Sequence, residues 1–152
     1  MNCQITPMTS AHLDQVEALE KICFPEDPWS RKLLQEALEN ENTTSLLALS
    51  EDGRVLGYLF FTAVLDEGGV DNIAVHPEAR RQGIASALLG AFHRYGREHG
   101  LVNLFLEVRL SNQKAFALYE KLGYREAGRR KNYYLAPRED AIIMKLELST
   151  CI

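Results

Sequence analysis

Asn72-Ile73-Ala74-Val75-His76-Pro77-Glu78-Ala79-Arg80-Arg81-Gln82-Gly83-Ile84-Ala85-Ser86-Ala87-Leu88-Leu89 decides the architecture. The spacing predicts a buried strand, a turn punctuated by Pro77, a short basic loop and then a helix. The first amides of such a helix lack carbonyl partners and sit at the positive end of its dipole, so the loop offers an anion-sized set of donors. Gly83 allows close backbone approach, Ala85 is small, and the adjacent Arg80 and Arg81 carry forked donors that suit phosphate oxygens. A solvated basic pair before an amphipathic helix is the plain alternative. The Lys-Ser/Thr of a nucleotide-binding P-loop is missing, which sets ATP and GTP aside.

Upstream, Ile5-Thr6-Pro7 reads as a short strand, and Thr9 or Ser10 as the cap of a helix with Leu13, Val16, Leu19 and Cys23 on its apolar face. Pro25 and Pro28 break it. Ser30 caps a second helix with Leu33, Leu34, Ala37 and Leu38 on one side. Trp29, in the break, either lines a groove or anchors the break to the core. Ser45–Leu49 and Val55–Leu65 form antiparallel strands joined through Asp52-Gly53, and Gly68-Gly69 is expected to turn into the next strand, Val70–Val75.

Downstream, Ile84, Ala87, Leu88, Ala91, Phe92 and Tyr95 recur at helical spacing, and Gly100 is the stop. Leu101–Val108 is apolar enough to be a central strand largely covered on both faces by helices, within which Glu107 stands out. It is either a general base or the ion-pair partner of Arg109. Ser111 or Asn112 caps a last helix with Ala115, Leu118, Tyr119 and Leu122 inside, and two strands, Tyr124–Tyr134 and Ala141–Leu148, close the chain. The order is that of a mixed α/β sheet.

At 152 residues, 46% hydrophobic and 25% charged, the expectation is one domain over residues 1–152, cytoplasmic, with no signal peptide in Met1-Asn2-Cys3-Gln4. Cys3, Cys23 and Cys151 are few and scattered, which argues against a disulfide framework or a metal site. A net charge of -4 disfavours direct nucleic-acid binding and favours a basic polypeptide partner.

Arg80, Gly83 and Ala85 match the Gln/Arg-x-x-Gly-x-Gly/Ala loop of the GCN5-related N-acetyltransferases (GNAT). Leu106–Asn112, Ala117–Tyr124, Arg129–Tyr134 and Glu139–Met144 are similar to one branch of that family, the bacterial ribosomal-protein alanine N-acetyltransferases of the RimI type. The resemblance runs from about Asn72 to Met144. It implies a GNAT fold, a mostly antiparallel sheet of about seven strands with helices on both faces, and acetyl-CoA as co-substrate. By the same resemblance Glu107 is the proton acceptor and Tyr119 the proton donor to the departing thiolate. Ile73, Ala74 and Val75 bind the acetyl group and pantetheine through main-chain groups, where the family's strand is splayed from its neighbour. Arg81, Gln82, Gly83, Ile84, Ala85 and Ser86 bind the pyrophosphate, and Asn112 the pantetheine arm. Tyr133, Tyr134 and Asp140 lie near the incoming protein N-terminus, expected to belong to a ribosomal protein. Read as residues alone, Tyr119 is equally a core tyrosine, Asn112 a helix cap and Asp140 a turn residue. An acetyltransferase for lysine side chains or a small amine, and a noncatalytic acyl-CoA-binding module, are the rival readings. Asp71 departs from relatives that carry an apolar residue there.

Overall fold

Val55–Leu59 and the two phenylalanines that follow have no polar side chain except Tyr58, and this run becomes the most deeply buried strand of the protein. Around it, the computed structural model describes residues 3–148; Cys151 lies outside them. The elements are β1 (Gln4–Pro7), α1 (Leu13–Cys23), α2 (Arg31–Glu39), β2 (Thr43–Leu49), β3 (Val55–Val64), β4 (Glu67–Val75), α3 (Ile84–Glu98), β5 (Asn103–Arg109), α4 (Gln113–Lys121), β6 (Arg125–Leu135) and β7 (Arg138–Glu147). Seven strands form one sheet in the order β1-β2-β3-β4-β5-β7-β6. Every neighbouring pair is antiparallel except β4 with β5.

Helices cover both faces, as the sequence predicts. Leu13, Val16 and Leu19 of α1 and Leu34 of α2 pack on Leu47, Tyr58, Phe60 and Ala74. Ile84, Leu88, Leu89 and Phe92 of α3, with Tyr119 of α4, pack on Leu59, Phe61, Leu104, Leu106 and Val108. β5 is not covered on both faces as its apolar run predicts, but alternates: Leu104, Leu106 and Val108 are buried beneath α3 and α4, while Phe105, Glu107 and Arg109 face the other side and are only half-buried. Both α1 and α2 lie over β2, β3 and β4 and leave that side of β5, β7 and β6 open.

Local chemistry corrects three expectations. Gly68-Gly69 lies inside β4, and the reversal falls at Leu65 and Asp66, with Leu65 at φ +57. A side chain on Gly68 would put its Cβ 3.0 Å from Leu101, Leu104 and Phe92, so this glycine serves close packing rather than a turn. Leu33 faces solvent and Leu34 alone is buried, because α2 presents a narrow stripe to the sheet. β6 and β7 extend to Leu135 and back from Arg138, so Arg138–Asp140 is strand and the turn shrinks to the cis-linked Ala136-Pro137. Thr9 precedes a short 3-10 turn, Ser10–His12, before α1, while Ser30 caps α2 as expected, accepting from the Leu33 N–H at 3.1 Å. No helix among the described residues is long and apolar enough to cross a membrane.

Candidate active site

β4 and β5 begin side by side and then part. Their pairing consists of Glu67↔Asn103, Gly68↔Leu104 and Gly69↔Phe105, yet β4 runs on to Val75 and β5 to Arg109. One cause is visible in the register with β3: Phe61 pairs with Val70 and Phe60 with Asn72, leaving Asp71 as an extra residue. Such a bulge bends and overtwists its strand, here away from β5. The His76 N–H donates to the Leu56 carbonyl at 2.7 Å, so by antiparallel alternation residues 74 and 76 turn their polar groups to β3. Those of Ile73 and Val75 point into the gap. The Val75 carbonyl accepts from Arg80 Nε at 3.2 Å and from the Cys23 thiol at 3.5 Å, while its N–H faces the opening with no strand beside it. Edge groups of this kind bind an extended amide-bearing chain as a strand would.

The basic loop closes one end of this gap. Arg81 and Gly83 both take left-handed backbone, at φ +65 and +79, which turns the chain sharply into α3. The first helical bond is Ala87 N–H to the Gly83 carbonyl at 2.9 Å, and no side chain caps the helix. The N–H groups of Gly83, Ile84, Ala85 and Ser86 are thus a set of uncommitted donors at the positive end of a 15-residue helix. Nothing lies within 4 Å of where a Gly83 side chain would begin. Arg80, in contrast, is turned back onto the Val75 carbonyl of β4 and Gln82 Nε2 reaches the Glu78 carbonyl at 3.4 Å, while Arg81 is exposed.

Glu107 lies across the opening on the uncovered face of the sheet, its side chain 27% exposed. Its partner is Arg130, whose Nε stands 3.1 Å from the carboxylate. The alternative partner, Arg109, is committed elsewhere: it donates to Glu139 at 3.2 Å and to the carbonyls of Pro137 and Ala136, with its guanidinium 4.2 Å from the Tyr134 ring centroid. Glu139 in turn accepts from the Ser111 N–H. Arg109 therefore ties the β6–β7 turn to the end of β5, and Glu139 ties it to the start of α4.

The tyrosines converge from two sides. Tyr133 is half exposed, and its hydroxyl is pushed up first by burial and then by the adjacent Glu107 carboxylate. Burial, Glu107 and Tyr133 raise Tyr134 to about 12, with a smaller contribution from Tyr119, so its phenol lies in the field of Glu107 and Tyr119 together. Tyr119 is 8% exposed and burial pushes it up to about 12. Its ring meets Tyr124 edge-on at 6.2 Å, and its hydroxyl has no hydrogen-bond partner among the described residues. Asn112 caps α4 by accepting from the Ala115 N–H at 3.2 Å, leaving its amide NH2 free to donate. Asp140 sits in β7 opposite a bulge in β6 and accepts from the Asn132 N–H at 2.8 Å, which fixes the bulge that carries Tyr133.

Two contributors escape a reading of the residues alone. Glu20 of α1 is 1% exposed and accepts from the Trp29 N–H at 2.7 Å, from Asn72 Nδ2 at 2.8 Å and from the Tyr58 hydroxyl. This buried carboxylate, fully partnered as burial demands, holds the α1–α2 break beside β4. Trp29 anchors that break, its ring 5.6 Å from Phe60. The signal for Glu20 is present, since it follows Leu13 and Val16 at inner-face spacing. Arg130 has none, because the β6 bulge decides where it points.

The acetyltransferase (GNAT) family model matches residues 13–124. The [ribosomal protein bS18]-alanine N-acetyltransferase of Escherichia coli strain K12 is 42% identical over 125 residues, 80% of this chain and 82% of that protein. A Bacillus subtilis relative with the same name, qualified as putative, is 35% identical over 132 residues, 87% of each chain. The crystal structure of the ribosomal-protein-S18-alanine N-acetyltransferase from Escherichia coli superposes with a TM-score of 0.89 at 35% identity, covering 99% of this chain and 97% of that one.

Proposed function

The chain belongs to the GNAT acetyltransferase family and is an acyltransferase, and from that premise we propose that it uses acetyl-CoA to acetylate the N-terminal alanine of a small-subunit ribosomal protein. One observation carries the reading: the β4–β5 gap joins a run of uncommitted main-chain donors to a carboxylate on an open sheet face. Acetyl-CoA fits that gap. The amides of Gly83–Ser86, with Arg81, hold the pyrophosphate; Ile73 and Val75 hold the pantetheine amides, assisted by the Asn112 NH2; the bound thioester supplies the activated acetyl group.

The uncovered side of β5, between the α1–α2 break and the β6–β7 hairpin, takes the protein N-terminus. An α-ammonium has an unperturbed pKa near ~8, so removing its proton costs little at neutral pH. Glu107, through a water, accepts that proton. The freed amine forms the new N–C bond, the Val75 N–H donates to the carbonyl oxygen as charge builds there, and the C–S bond breaks. Tyr119 donates a hydrogen bond to the departing sulfur, and the second proton shed by the acylated nitrogen ends on that thiolate, leaving the amide and the free thiol of coenzyme A. Tyr133 and Tyr134 line the acceptor's path, and Asp140 keeps their bulge in place. The whole of residues 1–152 acts as one domain, and a ribosomal-protein substrate places it in the cytoplasm.

The test incubates the protein with acetyl-CoA and two peptides: one beginning with a free alanine, the other blocked at its N-terminus and containing lysine. Mass spectrometry should find acetyl on the first only; acetyl on lysine alone overturns the acceptor assignment.

A further inference from the structure

Asp71 carries a carboxylate that the transfer chemistry leaves unused. As the extra residue of the β4 bulge, it is turned onto the same sheet face as its neighbour Asn72, where the Thr62 hydroxyl donates to it. Thr62 follows Tyr58 and Phe60 at two-residue steps, so this is the α1/α2 face, and Glu107 looks out from the same face. The last β4–β5 pair is Gly69↔Phe105, and two residues farther along each strand stand Asp71 and Glu107, one on either lip of the gap. Tyr133 lies nearer Glu107: burial and Glu107 push its hydroxyl up, Arg130 opposes them, and Asp71 adds the smallest contribution.

Three other carboxylates near the opening have cations, while Asp140 is held by the Asn132 N–H. Glu107 has Arg130, Glu139 has Arg109 and Glu126 has Arg129. Asp71 has no ion pair among the described residues, and its only hydrogen bond there is to a neutral hydroxyl. Asp71 is solvent-exposed, and an exposed carboxylate without a counter-charge is free to pair with a cation brought to it. An extended acceptor rises about 3.3 Å per residue, so with its amine at Glu107 the next one or two side chains come within reach of the other lip. The net charge of -4 draws basic chains toward the protein as a whole.

Building on the N-terminal acetyltransferase reading above, we infer that Asp71 selects acceptors with a positively charged side chain at the second or third residue, pairing with it on the open sheet face beside Glu107. Asp71 is then a specificity determinant and takes no part in proton transfer. The experiment compares kcat/KM for alanine-initiated peptides carrying arginine, glutamine or glutamate at the second and at the third position. Wild type should prefer arginine over glutamine at one of them by roughly tenfold. In Asp71→Asn that ratio collapses toward one, and in Asp71→Lys it inverts in favour of glutamate, a gain that misfolding cannot produce. Equal use of all peptides by wild type, or an unchanged ratio in Asp71→Lys, overturns the inference while leaving the N-terminal activity standing. Failure to acetylate any N-terminal amine overturns both.

Discussion

Replacing Tyr119 by phenylalanine isolates what its hydroxyl does. The side chain is 8% exposed, and burial raises its pKa to about 12, so the phenol is protonated at every physiological pH and acts only as a donor. A thiol ionises near ~8.5, so complete proton transfer from a phenol at about 12 is uphill by roughly 3.5 pKa units, or about 5 kcal/mol. In the proposed mechanism Tyr119 therefore contributes a charge-assisted hydrogen bond to sulfur as the C–S bond lengthens, worth about 1.5–3 kcal/mol. Tyr119→Phe should lower kcat by roughly 10- to 150-fold. The hydroxyl has no protein partner among the described residues, so its removal orphans nothing and stability should move by under about 0.5 kcal/mol. Thiol release followed with a thiol-reactive dye gives kcat, calorimetry gives the acetyl-CoA affinity, and a thermal melt controls for folding. An unchanged kcat, or a loss confined to KM, refutes the donor role.

Gly83→Ala meets no neighbour within 4 Å but imposes an L side chain at φ +79, a strain of about 1–2 kcal/mol. Acetyl-CoA affinity measured by calorimetry should fall roughly 5- to 30-fold, and an unchanged affinity would remove the loop from the binding site. His93, 2.9 Å from the Tyr124 hydroxyl, is held down to about 4, first by burial and then by Arg97. An unfolded histidine titrates near ~6.5, so its contribution is complete above that pH and is lost as pH falls from 6.5 toward 4, by up to about 3 kcal/mol before solvent screening. Urea unfolding at pH 7.5, 6 and 5 should show this loss in wild type and a flatter dependence in His93→Gln; parallel curves would contradict it.

Most of the framework was legible because it is local. The strand-turn-helix at Asn72–Leu89 and the caps at Ser30 and Asn112 each depend on residues within a few positions of one another. What escaped depends on register between distant segments. Gly68-Gly69 has the composition of a turn, and only the packing of Phe92, Leu101 and Leu104 reveals it as a strand. Arg109 and Arg130 are near in sequence to several carboxylates, and the β6–β7 pairing decides that Arg130, not Arg109, meets Glu107. The bulges at Asp71 and at Lys131–Tyr133 leave no period for a sequence to display, yet they open the gap and aim the tyrosines.

Glu107→Gln tests most directly whether this carboxylate unmasks the amine. Glutamine keeps an oxygen for the Arg130 Nε, so the surroundings should persist and acetyl-CoA binding with them. With an alanine-initiated peptide at pH 7, kcat/KM should drop by at least roughly 100-fold. That defect should narrow as pH rises above ~8, where the α-amine is free without a base. Full turnover at pH 7, or a defect of the same size at every pH, would contradict the account.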